Sequence, residues 1–206
     1  MGRSRSRSPE NPEELTGMAL GLLGIIRLAL LLPAFHFILR LVGKQLSDIG
    51  LSVPANWRKD AALGAAVGVI WPALQFLVFI PLTGGLSRED VVASRALIGD
   101  EPIGLLGVII LSWTLAAVGE EVFFRGHIIF TLRGLLGSIR WATGIAVSVL
   151  LFAITHAYQG LIGILDVGIF GLILAMLYLR RGNLLAPILA HGVNDTLLFI
   201  GLYLLV

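Results

Sequence analysis

The chain has 206 residues, 57% of them hydrophobic and only 14% charged, with a mean hydropathy of +0.93. That balance lies far outside the range of a soluble domain of this length and points to an integral membrane protein. Cysteine is absent, which excludes disulfides, thiolate metal sites and a cysteine nucleophile. The net charge is only +2, so the pI near 9.4 reflects loop arginines rather than a nucleic-acid-binding surface, and no P-loop or GxGxxG motif follows a strand.

The first 15 residues, MGRSRSRSPENPEEL, have too little apolar surface to fold and read as a disordered polar tail. Gly2 and Ser6 stand in myristoylation spacing, and the alternating arginines could touch RNA or anionic lipid. No small-residue cleavage site follows a short apolar core, so the segment is not a signal peptide. Residues 16–206 then read as one transmembrane domain. A bilayer core takes roughly 20 apolar residues per helix, and six runs qualify: 16–41, 61–82, 103–124, 141–158, 161–179 and 184–206. None alternates as a membrane barrel strand does, and backbone groups in lipid must be satisfied within their own segment. The expected fold is therefore an all-α polytopic bundle of about six spans, at the cell membrane if the source is prokaryotic.

The first span carries Arg27 and His36, and an interfacial loop, GKQLSDIGLSVPANWRKD, leads to a Gly/Ala-rich span suited to close helix packing. The polar stretch 83–101 predicts a short surface helix at the headgroups. The absence of an internal repeat argues against an inverted-repeat transporter. With both termini on one side, the opposite side collects Arg40, Lys44, Arg58, Lys59, Arg125, Arg133, Arg140, Arg180 and Arg181, against Arg3, Arg5, Arg7, Arg88 and Arg95. The positive-inside rule favours that opposite side as cytoplasmic.

The third span holds VGEEVFFRGH, with Glu120, Glu121 and Arg125 amid apolar neighbours. Each charge near a span's centre opposes insertion by roughly 2.5–3.5 kcal/mol, so something must offset it. Glu121 and Arg125, four apart in acid-before-base order, are expected to pair. Whether that pair is structural or supports a site is open at this point. Glu120 points about 100° away and lacks a local partner, a situation suited to general-base work.

Depth arithmetic locates its companions. If spans three and four form an antiparallel hairpin about the Gly137–Ser138 turn, Glu120 and His156 lie at equal depth, roughly 20–24 Å from the Arg133/Arg140 interface at ~1.5 Å per residue. In the last span, His191 and Asp195 share a face and Asn194 lies near it. They sit roughly 15–21 Å in from Arg181. Four ionisable groups from three helices thus converge on one level, and Asp166 from a fourth lies near it. His36 and His127 read as packing residues, and Arg27 and Arg40 as snorkelling or paired. Two histidines and a glutamate could in principle hold zinc with an open position, but there is no HExxH.

The ordered motifs EExxxR (Glu120, Glu121, Arg125), FxxxH (Phe152, His156) and Hxxx(N/D) (His191, Asp195) resemble the CPBP family, which includes the type II CAAX prenyl endopeptidases and the bacterial Abi, or bacteriocin-processing, proteins. The resemblance covers 103–206 and extends to FFRG and NLLAPILAHGVND. It implies a metal-independent intramembrane glutamate-type endopeptidase without a cofactor, acting on membrane-anchored peptides. In that reading Glu120, aided by His156, activates water, while His191 and Asp195 stabilise the oxyanion, with Glu121, Arg125 and Asn194 in support. The family position of Asp195 is often Asn. An ionised carboxylate cannot donate to an oxyanion, so either Asp195 is protonated, or it orients His191, or Asn194 donates instead. The resemblance also implies a site open to the cytosol on the N-terminal side, against the arginine count, and orientation stays open. The alternatives to an enzyme are a non-catalytic bacteriocin-immunity or scaffold protein using the same polar cluster for binding, and a transporter using Glu120 and Asp166 for protons.

Overall fold

The computed structural model describes residues 12–132 and 140–205. The tail with Gly2 and Ser6, Arg133 and the expected Gly137–Ser138 turn lie outside the described residues. Seven helical segments follow one another among the described residues: α1 (Pro12–Leu41), α2 (Trp57–Leu82), α3 (Glu89–Ile98), α4 (Pro102–Leu132), α5 (Arg140–Thr155), α6 (Gly160–Arg181) and α7 (Leu185–Leu205). Five of them, α1, α2, α4, α6 and α7, are long and apolar enough to cross a bilayer, and the protein is an integral multi-pass membrane protein. α5 is the shorter partner. Its 16 described residues reach about 24 Å, less than the roughly 30 Å of a hydrocarbon core.

Two boundaries differ from the sequence-based expectation. α4 runs to Leu132 instead of ending near 124, because the charges that marked its end have partners inside the bundle and Gly126 packs against Ile49 and Leu184. Between Ser112 and Ile129 it winds with the wide turn of a π-helix, a rare geometry that concentrates at functional sites. α5 stops at Thr155 rather than 158. A single tight turn, Ala157–Gln159, then leads into α6 through Gly160, whose φ of +72° favours glycine.

Small residues set the spacing of the long helices, as expected where lipid supplies no hydrophobic drive between them. Gly64 and Gly68 of α2 lie against the carbonyls of Ala186 and Ala190 in α7. Gly17, Gly21 and Gly24 of α1 meet Gly104, Gly107 and Thr114 of α4 in the same way. A Cβ on Gly68 would stand 2.7 Å from the Ala190 oxygen and 2.8 Å from Val193 Cβ. Gly68→Val is therefore expected to push α2 off α7 and cost about 1–3 kcal/mol, read as a lower unfolding midpoint in detergent.

Polar clamps close one end of the bundle. Buried Asp60 at the start of α2 accepts from Arg181 and, at 2.8 Å, from Asn183, whose side-chain oxygen accepts the Leu185 N–H at 3.0 Å in the first turn of α7. The loop before α2 is anchored there too. Leu184 N–H donates to the Gly50 carbonyl (2.9 Å) and Tyr178 OH to that of Ile49 (3.2 Å). At the other end, α3 is the expected short surface helix. It buries Val91 and Ile98 against Ile80 and Leu202 and turns Asp90, Ser94 and Leu97 toward an internal cavity.

Candidate active site

The cavity has a volume of about 270 Å³ and lies among α2, α3, α4, α6, α7 and the turn after α5. Glu120, His156, His191, Asn194 and Asp195 all line it, so the four groups expected to share one level do share one space. Asp166 lines it as well.

Glu120 is partly buried, and its Oε2 is enclosed without a hydrogen-bond partner. Its neighbour Glu121 is fully buried and turned away from the cavity, into the bundle. There a single oxygen, Oε1, accepts from Arg125 Nη1 at 2.8 Å and from His191 Nδ1 at 2.9 Å. The expected Glu121–Arg125 ion pair is present. The contact to His191 was not foreseen, and it ties the first motif to the third.

Arg125 ties in the second. Its other terminal nitrogen donates to the Gly171 carbonyl of α6 at 3.0 Å, and the guanidinium lies 4.3 Å over the ring of Phe152. A Cβ on Gly171 would meet Phe152 Cδ1 at 2.7 Å and Arg125 Nη2 at 3.2 Å, so only glycine lets the cation reach that backbone oxygen. One fully buried side chain thus joins α4, α5, α6 and, through Glu121, α7. Such a desolvated cation is tolerated because each contact is charge-assisted or faces a π-surface.

The two histidines have assignable faces. A backbone carbonyl can only accept, so His156 Nδ1, 2.8 Å from the Phe152 oxygen, carries the proton and leaves Nε2 as the acceptor. His191 Nδ1 donates to Glu121, which leaves its Nε2 as the free ring nitrogen, 3.7 Å from Asp195 Oδ2. Asp195 in turn accepts from Asn194 Nδ2 at 3.0 Å. Asp195 thus neighbours the free nitrogen of His191, and Asn194 holds Asp195. Phe152 and Phe170 meet the His191 ring edge-on at 5.9 and 5.8 Å and fix its plane. Trp113 Nε1 donates to Thr196 Oγ1 at 3.0 Å and Ser148 Oγ to the Phe124 carbonyl at 2.8 Å, locking α7 and α5 onto α4.

Elsewhere, His127 packs against the rings of Phe35 and Phe123, as expected of a packing residue, while His36 and Arg27 face outward on α1. Among the described residues no group of three His, Asp or Glu side chains is arranged to share a metal ion.

Residues 102–197 match the family described as type II CAAX prenyl endopeptidase Rce1-like. Over these residues, just under half of the chain, the protein is similar to that family. It is a family of CAAX-type membrane endopeptidases, and the matched segment contains all three motifs and every motif residue that lines the cavity. The chain is also similar to an uncharacterised 24.3 kDa protein of Escherichia coli, 32% identical over 83 residues, which are 40% of this chain and 38% of that protein. The chain therefore spans less than half the length of the curated relative it matches. No solved structure matches.

Beyond the motifs, the cavity is lined by Trp71 and Gln75 of α2. Sequence reasoning treated that span as scaffold. The signal that could have found them is a glutamine in an otherwise apolar span, at the start of the wide turn Gln75–Phe79.

Proposed function

We propose that this protein is a metal-independent intramembrane endopeptidase that uses Glu120 as general base on membrane-anchored peptides. The observation that carries this reading is the convergence of Glu120, His156 and the His191–Asp195 pair, from separate segments, on one cavity in a chain that spans the bilayer.

In the reaction, the Glu120 carboxylate takes a proton from a water molecule while the water oxygen adds to the peptide carbonyl. Nε2 of His156 accepts the water's second hydrogen as a hydrogen bond and orients it. The negative charge that forms on the carbonyl oxygen accepts from His191 Nε2 in its imidazolium form, between the carboxylates of Glu121 and Asp195, and from the free N–H of Asn194. Glu120 then passes its proton to the amide nitrogen as the C–N bond breaks, giving a carboxylic acid and an amine and leaving Glu120 as the carboxylate again. Asp195 accepts rather than donates in this scheme. That resolves how a carboxylate can occupy a position where the resemblance suggests Asn: it holds the imidazolium instead of the oxyanion.

The test is cleavage of a panel of membrane-tethered peptides by the purified protein in liposomes. His156→Ala is expected to lower kcat/KM by roughly 10²–10⁴-fold, the usual contribution of a positioned acid–base group. Wild-type protein that cleaves no member of the panel, or a His156→Ala variant as fast as wild type, would overturn the scheme.

A further inference from the structure

The far end of the cavity holds a second polar cluster that the cleavage scheme does not use. Gln75 Nε2 donates to Asp166 Oδ2 at 2.9 Å, which fixes the amide orientation and leaves Gln75 Oε1 as an acceptor facing no donor. Asp166 Oδ1 is likewise without a partner. Both side chains line the cavity, and both residues are more than nine-tenths buried, at 8% and 6% exposure. Trp71 Nε1, an indole N–H on the same wall, also lacks a partner, so one donor and two acceptors stand buried and unpaired together, and such groups call for an explanation.

The nearest fixed cation does not answer them. Arg88 stands 3.9 Å from Asp166 Oδ2, but its guanidinium is engaged with Asp90 through Nε (2.9 Å) and Nη2 (2.5 Å) and with Thr83 Oγ1 through Nη1 (2.8 Å). The cavity wall as a whole carries the carboxyl groups of Asp90, Glu120, Asp166 and Asp195 and the imidazoles of His156 and His191, with Asp90 already paired to Arg88. The position also suits a substrate. Phe170 meets His191 edge-on at 5.8 Å on one side and stacks on Trp71 at 5.6 Å and 18° on the other, and Trp71, Gln75 and Asp166 line the same cavity as His191. An extended peptide in that cavity can present neighbouring residues to both groups.

We infer that Asp166 and Gln75 form a specificity subsite that takes a basic side chain, lysine or arginine, lying close to the bond that is cut. The inference rests on the peptidase reading for its meaning in catalysis, but the subsite binds whether or not cleavage follows. A lysine or arginine side chain supplies donors to Oε1 and Oδ1 together, whereas an acidic residue or a free C-terminal carboxylate brings only further acceptors. The preferred substrates are thus internal or leader sequences with a basic residue near the cut, not chains whose terminal carboxylate must enter this end.

Two measurements separate this subsite from the reaction itself. First, binding of fluorescent membrane-tethered peptides, identical except for Lys, Gln, norleucine or Glu at one scanned position, is measured on the Glu120→Gln protein. Lys at one position is expected to bind about ten- to a hundredfold more tightly than norleucine, in line with a charged hydrogen-bonded contact. Adding Asp166→Asn, or separately Gln75→Met, should collapse that ratio toward one. Second, the same peptides are compared for cleavage by the wild-type protein, where kcat/KM should follow the same order.

A Lys preference lost in either second-site variant supports the subsite even if no peptide is cut, in which case the peptidase reading alone falls. Cleavage with no preference for Lys, a preference untouched by both substitutions, or Gln bound as tightly as Lys overturns the subsite and leaves the peptidase reading standing.

Discussion

Glu120→Gln is expected to abolish peptide cleavage, a loss of roughly 10²–10⁴-fold in kcat/KM, while the detergent-solubilised protein keeps its wild-type unfolding midpoint. The substitution keeps the shape of a side chain whose Oε2 has no hydrogen-bond partner, so no packing contact or ion pair is lost with the charge. What disappears is the capacity to hold a water's proton. Glu121→Gln is different in kind. It weakens a carboxylate bound by both Arg125 and His191 and should lower stability along with rate. Two adjacent glutamates thus separate into a chemical and a structural role, and paired rate and unfolding measurements on both variants read out that separation. A Glu120→Gln protein that cleaves at the wild-type rate, or retains full biological activity in complementation, would leave the cluster as a binding site and favour the immunity or scaffold reading.

The second large effect is at Arg125. Arg125→Met removes the partner of a fully buried carboxylate and the donor to the Gly171 carbonyl, and breaking a buried pair in this one-sided way costs about 3–5 kcal/mol. The variant is expected to aggregate or melt early in detergent. The double replacement Glu121→Leu with Arg125→Met removes both charges and should regain most of the stability, because an apolar pair of similar volume carries no desolvation penalty. It should not regain activity, since His191 Nδ1 loses its acceptor and the ring its orientation. A double variant as unstable as the single one would show that the ion pair is not the source of the loss. Arg125→Lys is expected to rescue poorly. A single ammonium cannot reach Glu121 and the Gly171 carbonyl while lying flat on Phe152.

How much of this was legible beforehand depends on the period and depth of the residues concerned. Hydropathy alone shows the spans, and helical spacing shows Glu121 facing Arg125 and His191 facing Asp195. Counting depth from the loop arginines was enough to bring Glu120, His156 and His191 to one level, because straight helices convert residue number into distance. Three things escaped for physical reasons. The Glu121–His191 bond depends on the rotation of α4 about its own axis, which depth does not constrain. The continuation of α4 past Phe124 was hidden because Arg125 looks like an interfacial anchor until its buried partners are known. Gln75 and Trp71 sat in a span read as scaffold, since one amide and one indole among apolar residues carry no periodic signal. The contact of α1 with α4 could have been found, as Gly17, Gly21 and Gly24 recur at helical spacing. The same small-residue logic was applied only to the second span.

The shortness of α5 bears on how a chain in lipid could be offered to this cavity. Its apolar stretch ends at Thr155, and the turn that follows exposes Tyr158 beside the cavity wall. A helix that falls several ångströms short of the bilayer core draws the leaflet inward around its tip. A depression at the Thr155 tip would bring headgroups and water beside His156 and let a segment tethered at the membrane surface meet the carboxylates without being dragged through hydrocarbon. Thicker membranes would deepen that dimple at a mechanical cost, and lipid chain length then becomes a control on access as real as any side chain.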